Sequence, residues 1–108
     1  MSDLAYVGGA FVPLAQASIG IEDRGFQFAD SVYEVVLVAG GRPVDFAGHF
    51  ARLERSMRRL GFGMPQDVRA ESEEATLALI SRNNLRDGTV YVQVTRGAWK
   101  RGLAPSSG

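Results

Sequence analysis

The first apolar residues of this chain fall into short runs of the kind that form strands. Residues 4–7 and 10–13 are largely apolar and flank Gly8-Gly9. Such a glycine pair is typical of a two-residue hairpin turn, because glycine reaches positive φ without strain. Residues 31–39 form a longer β-branched and apolar run that ends at a second pair, Gly40-Gly41. A run of this composition predicts a strand that is buried on both faces.

In the middle of the chain the apolar spacing changes to the period of a helix. The first predicted helix runs from Phe46 to Leu60, with Asp45 as its N-cap and Gly61 just past its end. Its core face consists of apolar residues three or four positions apart: Phe50, Leu53, Met57 and Leu60. A second helix is predicted from Pro65 to about Asn83, because proline suits the first turn of a helix.

After the Asp87-Gly88 turn, residues 89–95 alternate between apolar and polar side chains, which predicts a further strand. Strands combined with two helices predict an α+β fold, in which the two helices pack on one face of a mostly antiparallel sheet. Residues 1–97 are expected to form one small domain. Residues 98–108 lose the pattern and contain glycine, proline and serine, so they are interpreted as a loop or the start of an interdomain linker.

Two polar side chains, Tyr33 and Glu34, interrupt the apolar run at 31–39. Because side chains alternate along a strand, these two point to opposite faces. A buried polar group costs free energy unless it has a partner, so each is expected to have one. Two interpretations follow: a structural hydrogen bond for each, or a strand face that lines a ligand site.

The polar side of the first helix carries His49 and four arginines: Arg52, Arg55, Arg58 and Arg59. These charges can contact a phosphate, or they can form an ordinary solvated face. Glu54 and the acidic second helix balance them, which argues against a nucleic-acid surface. The lone histidine is interpreted as structural.

The composition excludes several kinds of site. Twelve basic and twelve acidic residues cancel, so net charge indicates neither a nucleic-acid nor a membrane partner. There are no cysteines and one histidine, which excludes thiolate and multi-histidine metal sites. No apolar run reaches transmembrane length, and a cytoplasmic location is expected.

Four segments, in register along the chain, resemble the fold-type IV pyridoxal-phosphate enzymes, and most of all the D-amino-acid aminotransferases. They are residues 23–36 (DRGFQFADSVYEVV), 49–53 (HFARL), 84–88 (Asn84-Leu85 with Gly88) and 91–97 (YVQVTRG). The resemblance covers essentially the whole chain, which would correspond to the small N-terminal domain. It implies pyridoxal 5'-phosphate as cofactor, amino-acid and 2-oxo-acid substrates, and a homodimer.

The resemblance also implies roles for three residues. Arg52 matches the arginine that holds the cofactor phosphate, and a guanidinium suits a phosphate because it offers two parallel charge-assisted hydrogen bonds. Tyr33 matches a tyrosine whose hydroxyl helps to hold the substrate carboxylate. Arg101 lies where the family places the arginine of the carboxylate trap, on a loop that reaches into the partner subunit's site.

The chain departs from the family pattern in two places. Leu103 stands where the D-amino-acid enzymes carry a histidine, which leaves the substrate open and keeps a lyase of the aminodeoxychorismate type as an alternative. The family's catalytic lysine lies in a C-terminal domain that these residues do not include, and Lys100, the only lysine, does not match it. The 108 residues alone are therefore expected to be inactive, and a non-catalytic binding or dimerisation fragment is a further alternative.

Overall fold

The computed structural model describes residues 3–18 and 31–95. Within these ranges it contains five strands: β1 (Leu4–Val7), β2 (Ala10–Pro13), β3 (Ser31–Ala39), β4 (Arg42–Pro43) and β5 (Gly88–Thr95). It also contains two α-helices, α1 (Phe46–Arg59) and α2 (Pro65–Arg82), and a short 3-10 helix at Leu14–Gln16. The predicted linker at 98–108 lies outside the described residues. None of the helices in the described ranges is long and apolar enough to cross a membrane.

All described strand pairs are antiparallel. The β1–β2 hairpin turns at Gly8-Gly9, where both glycines have positive φ. In the second sheet β3 is central and pairs with β4 on one side and β5 on the other. Both helices pack against this sheet, so the predicted α+β fold with an antiparallel sheet is confirmed.

Strand β3 is buried on one face only, and the prediction of two buried faces is wrong. Alternate residues are buried under the helices: Val32, Glu34, Val36 and Val38. The residues between them are exposed, including Tyr33 at 61% and Leu37 at 51%. The cause is the helix placement, because among the described residues α1 and α2 cover a single side of the sheet.

The core lies between β3 and α1. Val36, Phe50, Leu53 and Met57 have no exposed surface, as the helical spacing predicted for the three α1 residues. Leu60, predicted to face the core, is instead 43% exposed. Its place is taken by Phe62, which is buried two residues later.

The end of α1 explains this exchange. Gly61 has a φ of 72°, and its amide bonds to the carbonyl of Arg58, while the amide of Phe62 bonds to the carbonyl of Met57 at 2.9 Å. This pair of bonds is the Schellman arrangement, which reverses the chain at a left-handed glycine. It carries Phe62 back onto the core and leaves Leu60 at the surface.

The start of α1 differs from an ordinary cap. Asp45 occupies the N-cap position, as predicted, but it has a φ of 54° and its side chain makes no capping hydrogen bond. Its carboxylate lies against Gly48, where any side chain would collide with it. A larger residue at position 48 would therefore force the Asp45 side chain to move.

Candidate functional site

Glu34 is a carboxylate on the buried face of β3, and its side chain is only 9% exposed. The strand alternation turns it towards α1, which presents His49 and Arg52 one helical turn apart. Spacing of three residues puts these two side chains on the same face of a helix. The structure thus brings a glutamate, a histidine and an arginine together at the junction of β3 and α1.

Arg52 binds Glu34 through two parallel hydrogen bonds. Its Nε donates to Oε2 at 3.0 Å, and its Nη2 donates to Oε1 at 2.8 Å. A guanidinium has five N–H donors in a fixed plane, and these two bonds use the side edge formed by Nε and Nη2. The end edge, formed by Nη1 and the second N–H of Nη2, has no acceptor among residues 3–18 and 31–95. Because the Arg52 side chain is 52% exposed, a ligand can approach it.

His49 completes the cluster from the previous turn of α1. Its Nδ1 lies 2.6 Å from Oε1 of Glu34. An ionised carboxylate only accepts hydrogen bonds, so Nδ1 carries the proton and donates. The 3.2 Å separation between Nη2 of Arg52 and Nδ1 of His49 is then a contact between two donors that share one carboxylate oxygen.

These contacts keep Glu34 ionised despite its burial. The hydrogen bonds from Arg52 are the largest influence and lower the pKa of Glu34; burial opposes them, and the hydrogen bond from His49 lowers the pKa further. Glu34 in turn raises the pKa of Arg52. The cluster is therefore an ion pair with a third donor, and its buried member is the anion.

We expect this pair to make stability depend on pH in the acid range. The folded pKa of Glu34 lies below the value of about 4.3 for an unfolded glutamate, so its stabilisation is complete above that value and is lost as the pH falls through the folded pKa. Urea unfolding from pH 7 down to pH 3 should show the stability gap between the parent and Glu34→Gln narrowing. Glu74→Gln is the control, since the side chain of exposed Glu74 makes no hydrogen bond or ion pair in the described ranges. A gap that stays constant with pH would contradict the expectation.

Tyr33 lies on the other face of β3, as the alternation predicted. Its ring stacks on that of Tyr91 from β5, with centroids 5.6 Å apart and an angle of 13° between the planes. Both rings are more than half exposed. Ser31 and Gln93 share this face and are joined by a hydrogen bond of 3.2 Å. The result is an open aromatic and polar surface on the side of the sheet away from the helices.

The three residues singled out in the sequence thus have different outcomes. Arg52 belongs to the Glu34 cluster, Tyr33 lies on the opposite face of the same strand, and Arg101 lies outside the described residues. Sequence reasoning missed the pairing of Glu34 with Arg52 and His49. The available signal was an ionisable residue inside an apolar strand, together with two polar residues at helical spacing.

A groove of about 420 Å³ lies between the β1–β2 hairpin, α2 and β5. Among the described residues that line it, only Glu71 is charged, and Glu71 is exposed and accepts a 2.5 Å hydrogen bond from the Tyr6 hydroxyl. That bond raises the pKa of Tyr6. With no buried ionised group among its described lining residues, this groove is a weaker candidate for chemistry than the Glu34 cluster.

An antiparallel sheet with two helices on one side defines an α+β protein, and an arginine held by a buried carboxylate lies at the junction of β3 and α1. The chain belongs to the amino-transferase class IV family, whose profile matches residues 31–108. The predicted membership of the fold-type IV enzymes is confirmed.

The chain is similar to the D-alanine aminotransferase of Listeria monocytogenes (strain 10403S), with 38% identity over 91 residues, which are 84% of this chain and 31% of that protein. It is also similar to the D-alanine aminotransferase of Staphylococcus epidermidis (strain ATCC 12228), with 33% identity, covering 89% of this chain and 34% of that protein. The chain thus spans about a third of the length of these curated relatives.

Solved structures that are similar to this chain include a lyase and an aminotransferase. The 4-amino-4-deoxychorismate lyase from Pseudomonas aeruginosa has a TM-score of 0.64 and 34% identity, covering 83% of this chain and 32% of that one. The branched-chain amino acid aminotransferase of Escherichia coli has a TM-score of 0.76, covering 100% of this chain and 36% of that one. Its identity is 19%, so it supports the fold alone.

Proposed function

We propose that this chain is part of a pyridoxal-phosphate-dependent aminotransferase that moves an amino group from a D-amino acid to a 2-oxo acid. The observation that carries the proposal is the arrangement of Arg52, whose side edge is held by Glu34 and whose exposed end edge has no acceptor among the described residues. Support for the reaction class comes from family membership, and support for the D-amino acid comes from relatives described as D-alanine aminotransferases.

The residues of the cluster fit a phosphate group. The end edge of a guanidinium offers two parallel N–H donors at the spacing of two phosphate oxygens. The buried anion beneath is already neutralised by three donors, so it opposes a second anion only weakly. Arg52 would therefore bind the cofactor phosphate without releasing Glu34. When bound, pyridoxal phosphate supplies the electron sink for the bond that breaks at the substrate α-carbon.

The other residues are assigned to substrate binding. The Tyr33 hydroxyl would donate a hydrogen bond to the substrate carboxylate, and its stack on Tyr91 restricts the orientation of the ring. Arg101 would pair with the same carboxylate from the partner subunit.

The homodimer and the cytoplasmic location also stay predictions. So does the interpretation of residues 98–108 as a linker.

The test is turnover by the full-length protein that carries this chain. With pyridoxal phosphate present, D-alanine and 2-oxoglutarate should give pyruvate and glutamate, and L-alanine should be a much poorer donor. Borohydride reduction followed by intact-mass measurement should show one covalently attached cofactor per chain. No turnover of either alanine isomer and no adduct would contradict the proposal.

A lyase is the second candidate. It is favoured by the 34% identity to the aminodeoxychorismate lyase structure and by Leu103, which replaces the histidine of the D-amino-acid enzymes. Release of pyruvate from 4-amino-4-deoxychorismate, without turnover of D-alanine, would assign the protein to this class.

We predict that residues 1–108 alone catalyse no transamination. The only lysine, Lys100, lies in a segment that the family's catalytic lysine does not match. A coupled pyruvate assay on the purified 108-residue polypeptide, with the full-length protein as positive control, checks this. Cofactor-dependent turnover by the short polypeptide would show that another group replaces the lysine.

A further inference from the structure

We propose that Glu34 is a positioning residue for cofactor binding, which holds the side edge of Arg52 so that the end edge faces the phosphate. The proposal rests on the proposed role of Arg52. In this proposal Glu34 influences the reaction only through Arg52 and does not itself contact the substrate or the cofactor.

The first support is the geometry of the two hydrogen bonds. An arginine side chain rotates about several bonds, and on an exposed helix face it samples many orientations at an entropic cost to any ligand that needs one of them. The Nε–Oε2 and Nη2–Oε1 bonds, at 3.0 and 2.8 Å, fix the plane of the Arg52 guanidinium and both ends of one edge. The direction of the remaining end edge is thereby set before any ligand arrives.

The second support is the difference in burial between the two partners. The Glu34 side chain is 9% exposed and fixed on a central strand, while that of Arg52 is 52% exposed. The carboxylate that holds Arg52 is thus buried, while the guanidinium donors lie at the surface. His49 adds a third donor to Oε1 at 2.6 Å, so the carboxylate is held from two positions on α1.

A second glutamate, Glu54 on α1, shows what an ordinary surface pair looks like in this chain. Glu54 accepts both hydrogen bonds from Arg58 on a single oxygen, Oε2, at 2.7 and 3.2 Å, and its other oxygen accepts from Arg69. Its side chain is 20% exposed, about twice the exposed fraction of the Glu34 side chain. Glu54→Gln therefore removes a glutamate–arginine pair of α1 that has no part in the proposal.

The experiment compares four variants of the full-length protein with the parent: Arg52→Ala, Glu34→Gln, the double variant, and Glu54→Gln as control. Equilibrium titration gives the Kd for pyridoxal phosphate, and the phosphorus NMR shift reports the surroundings of the bound phosphate. Glu34→Gln should raise the Kd about tenfold and move the phosphorus shift, because its amide places N–H donors against those of Arg52 and His49. Glu54→Gln should change neither.

The double variant tests whether Glu34 acts through Arg52. If it does, the two effects are not additive, and the double variant binds no more weakly than Arg52→Ala alone. A merely structural Glu34 would lower the melting temperature with the Kd and phosphorus shift unchanged, and that result would overturn the proposal. So would additive effects. If Glu34→Gln does not fold, Glu34→Asp keeps the charge and withdraws it by one methylene, and the same readouts apply.

The variants distinguish a failure of the proposed role of Arg52 from a failure of the positioning role of Glu34. An unchanged Kd in Arg52→Ala would show that Arg52 does not hold the phosphate, and the proposed role of Arg52 fails. A raised Kd in Arg52→Ala with an unchanged Kd in Glu34→Gln would leave the role of Arg52 in place and overturn the positioning role alone.

Discussion

Phe50→Ala is expected to lower the free energy of unfolding by about 3–5 kcal/mol, the usual range for a buried phenylalanine cut back to alanine. Phe50 has no exposed surface and its ring lies 4.8 Å from that of Phe46, centroid to centroid. The substitution removes most of an aromatic side chain from the junction of α1 and β3 and leaves a cavity there. Small domains are stable by about 5–15 kcal/mol in total, so the loss is a large fraction.

Leu77→Ala is the matched control, because Leu77 is an apolar residue of α2 that is 48% exposed. Its effect should stay within about 0.5 kcal/mol, as is usual for surface positions. Urea unfolding followed by far-UV circular dichroism, on both variants and the parent, gives the comparison. Equal losses for the two variants would contradict the placement of Phe50 in the core.

The same residue connects the core to the site. Phe50 lies between His49 and Arg52 on α1, so the helix turn that docks on β3 also carries the partners of Glu34. A loosened α1 would move the donors away from a carboxylate that stays on the strand. The packing of Phe50 therefore supports the Glu34–His49–Arg52 cluster as well as the core.

Local periodicity was sufficient for the two α-helices and for strands β1, β2, β3 and β5, but it did not predict β4 or the short 3-10 helix. The spacing of Phe50, Leu53 and Met57 predicted the buried face of α1, and Gly61 predicted its end. Leu60 was misplaced because the helical period was extended by one residue past Arg59, where α1 ends just before Gly61 reverses the chain. A rule about spacing contains no information about that reversal.

The burial of β3 and the partners of Glu34 depend on tertiary packing. A β-branched run indicates a strand, yet it does not say whether one or both faces are covered, and here Tyr33 and Leu37 are exposed. The sequence required a partner for Glu34 but could not say which turn of α1 crosses β3 at that residue. The sequence also suggested that the Arg52 guanidinium binds a phosphate, whereas the structure shows that the Nε and Nη2 donors of one edge bind Glu34.

In the full-length protein, Arg52→Ala is expected to raise the Kd for pyridoxal phosphate about a hundredfold. The side edge of Arg52 is bonded to Glu34, so the contacts that are lost to the phosphate are those of the end edge. Each charge-assisted hydrogen bond is worth about tenfold or more, and two are expected from the end edge. The substitution also leaves Glu34 with one of its two partners, which places a less neutralised carboxylate near the phosphate. Arg52→Lys should be intermediate, because an ammonium keeps the charge but lacks the two separate edges that let a guanidinium bind two anions, each through paired hydrogen bonds.

Arg55→Ala is the matched control for this series, since Arg55 is an exposed arginine of the same helix that makes no side-chain hydrogen bond in the described part of the chain. It should leave the Kd unchanged and so exclude a general effect of removing positive charge from α1. Titrations at low and high salt sharpen the comparison, because a diffuse charge effect is screened while a direct contact persists. Equal losses in Arg52→Ala and Arg55→Ala that vanish in high salt would mean that the helix attracts the phosphate only as a charged surface. A loss confined to Arg52 would locate the contact at the guanidinium that Glu34 holds.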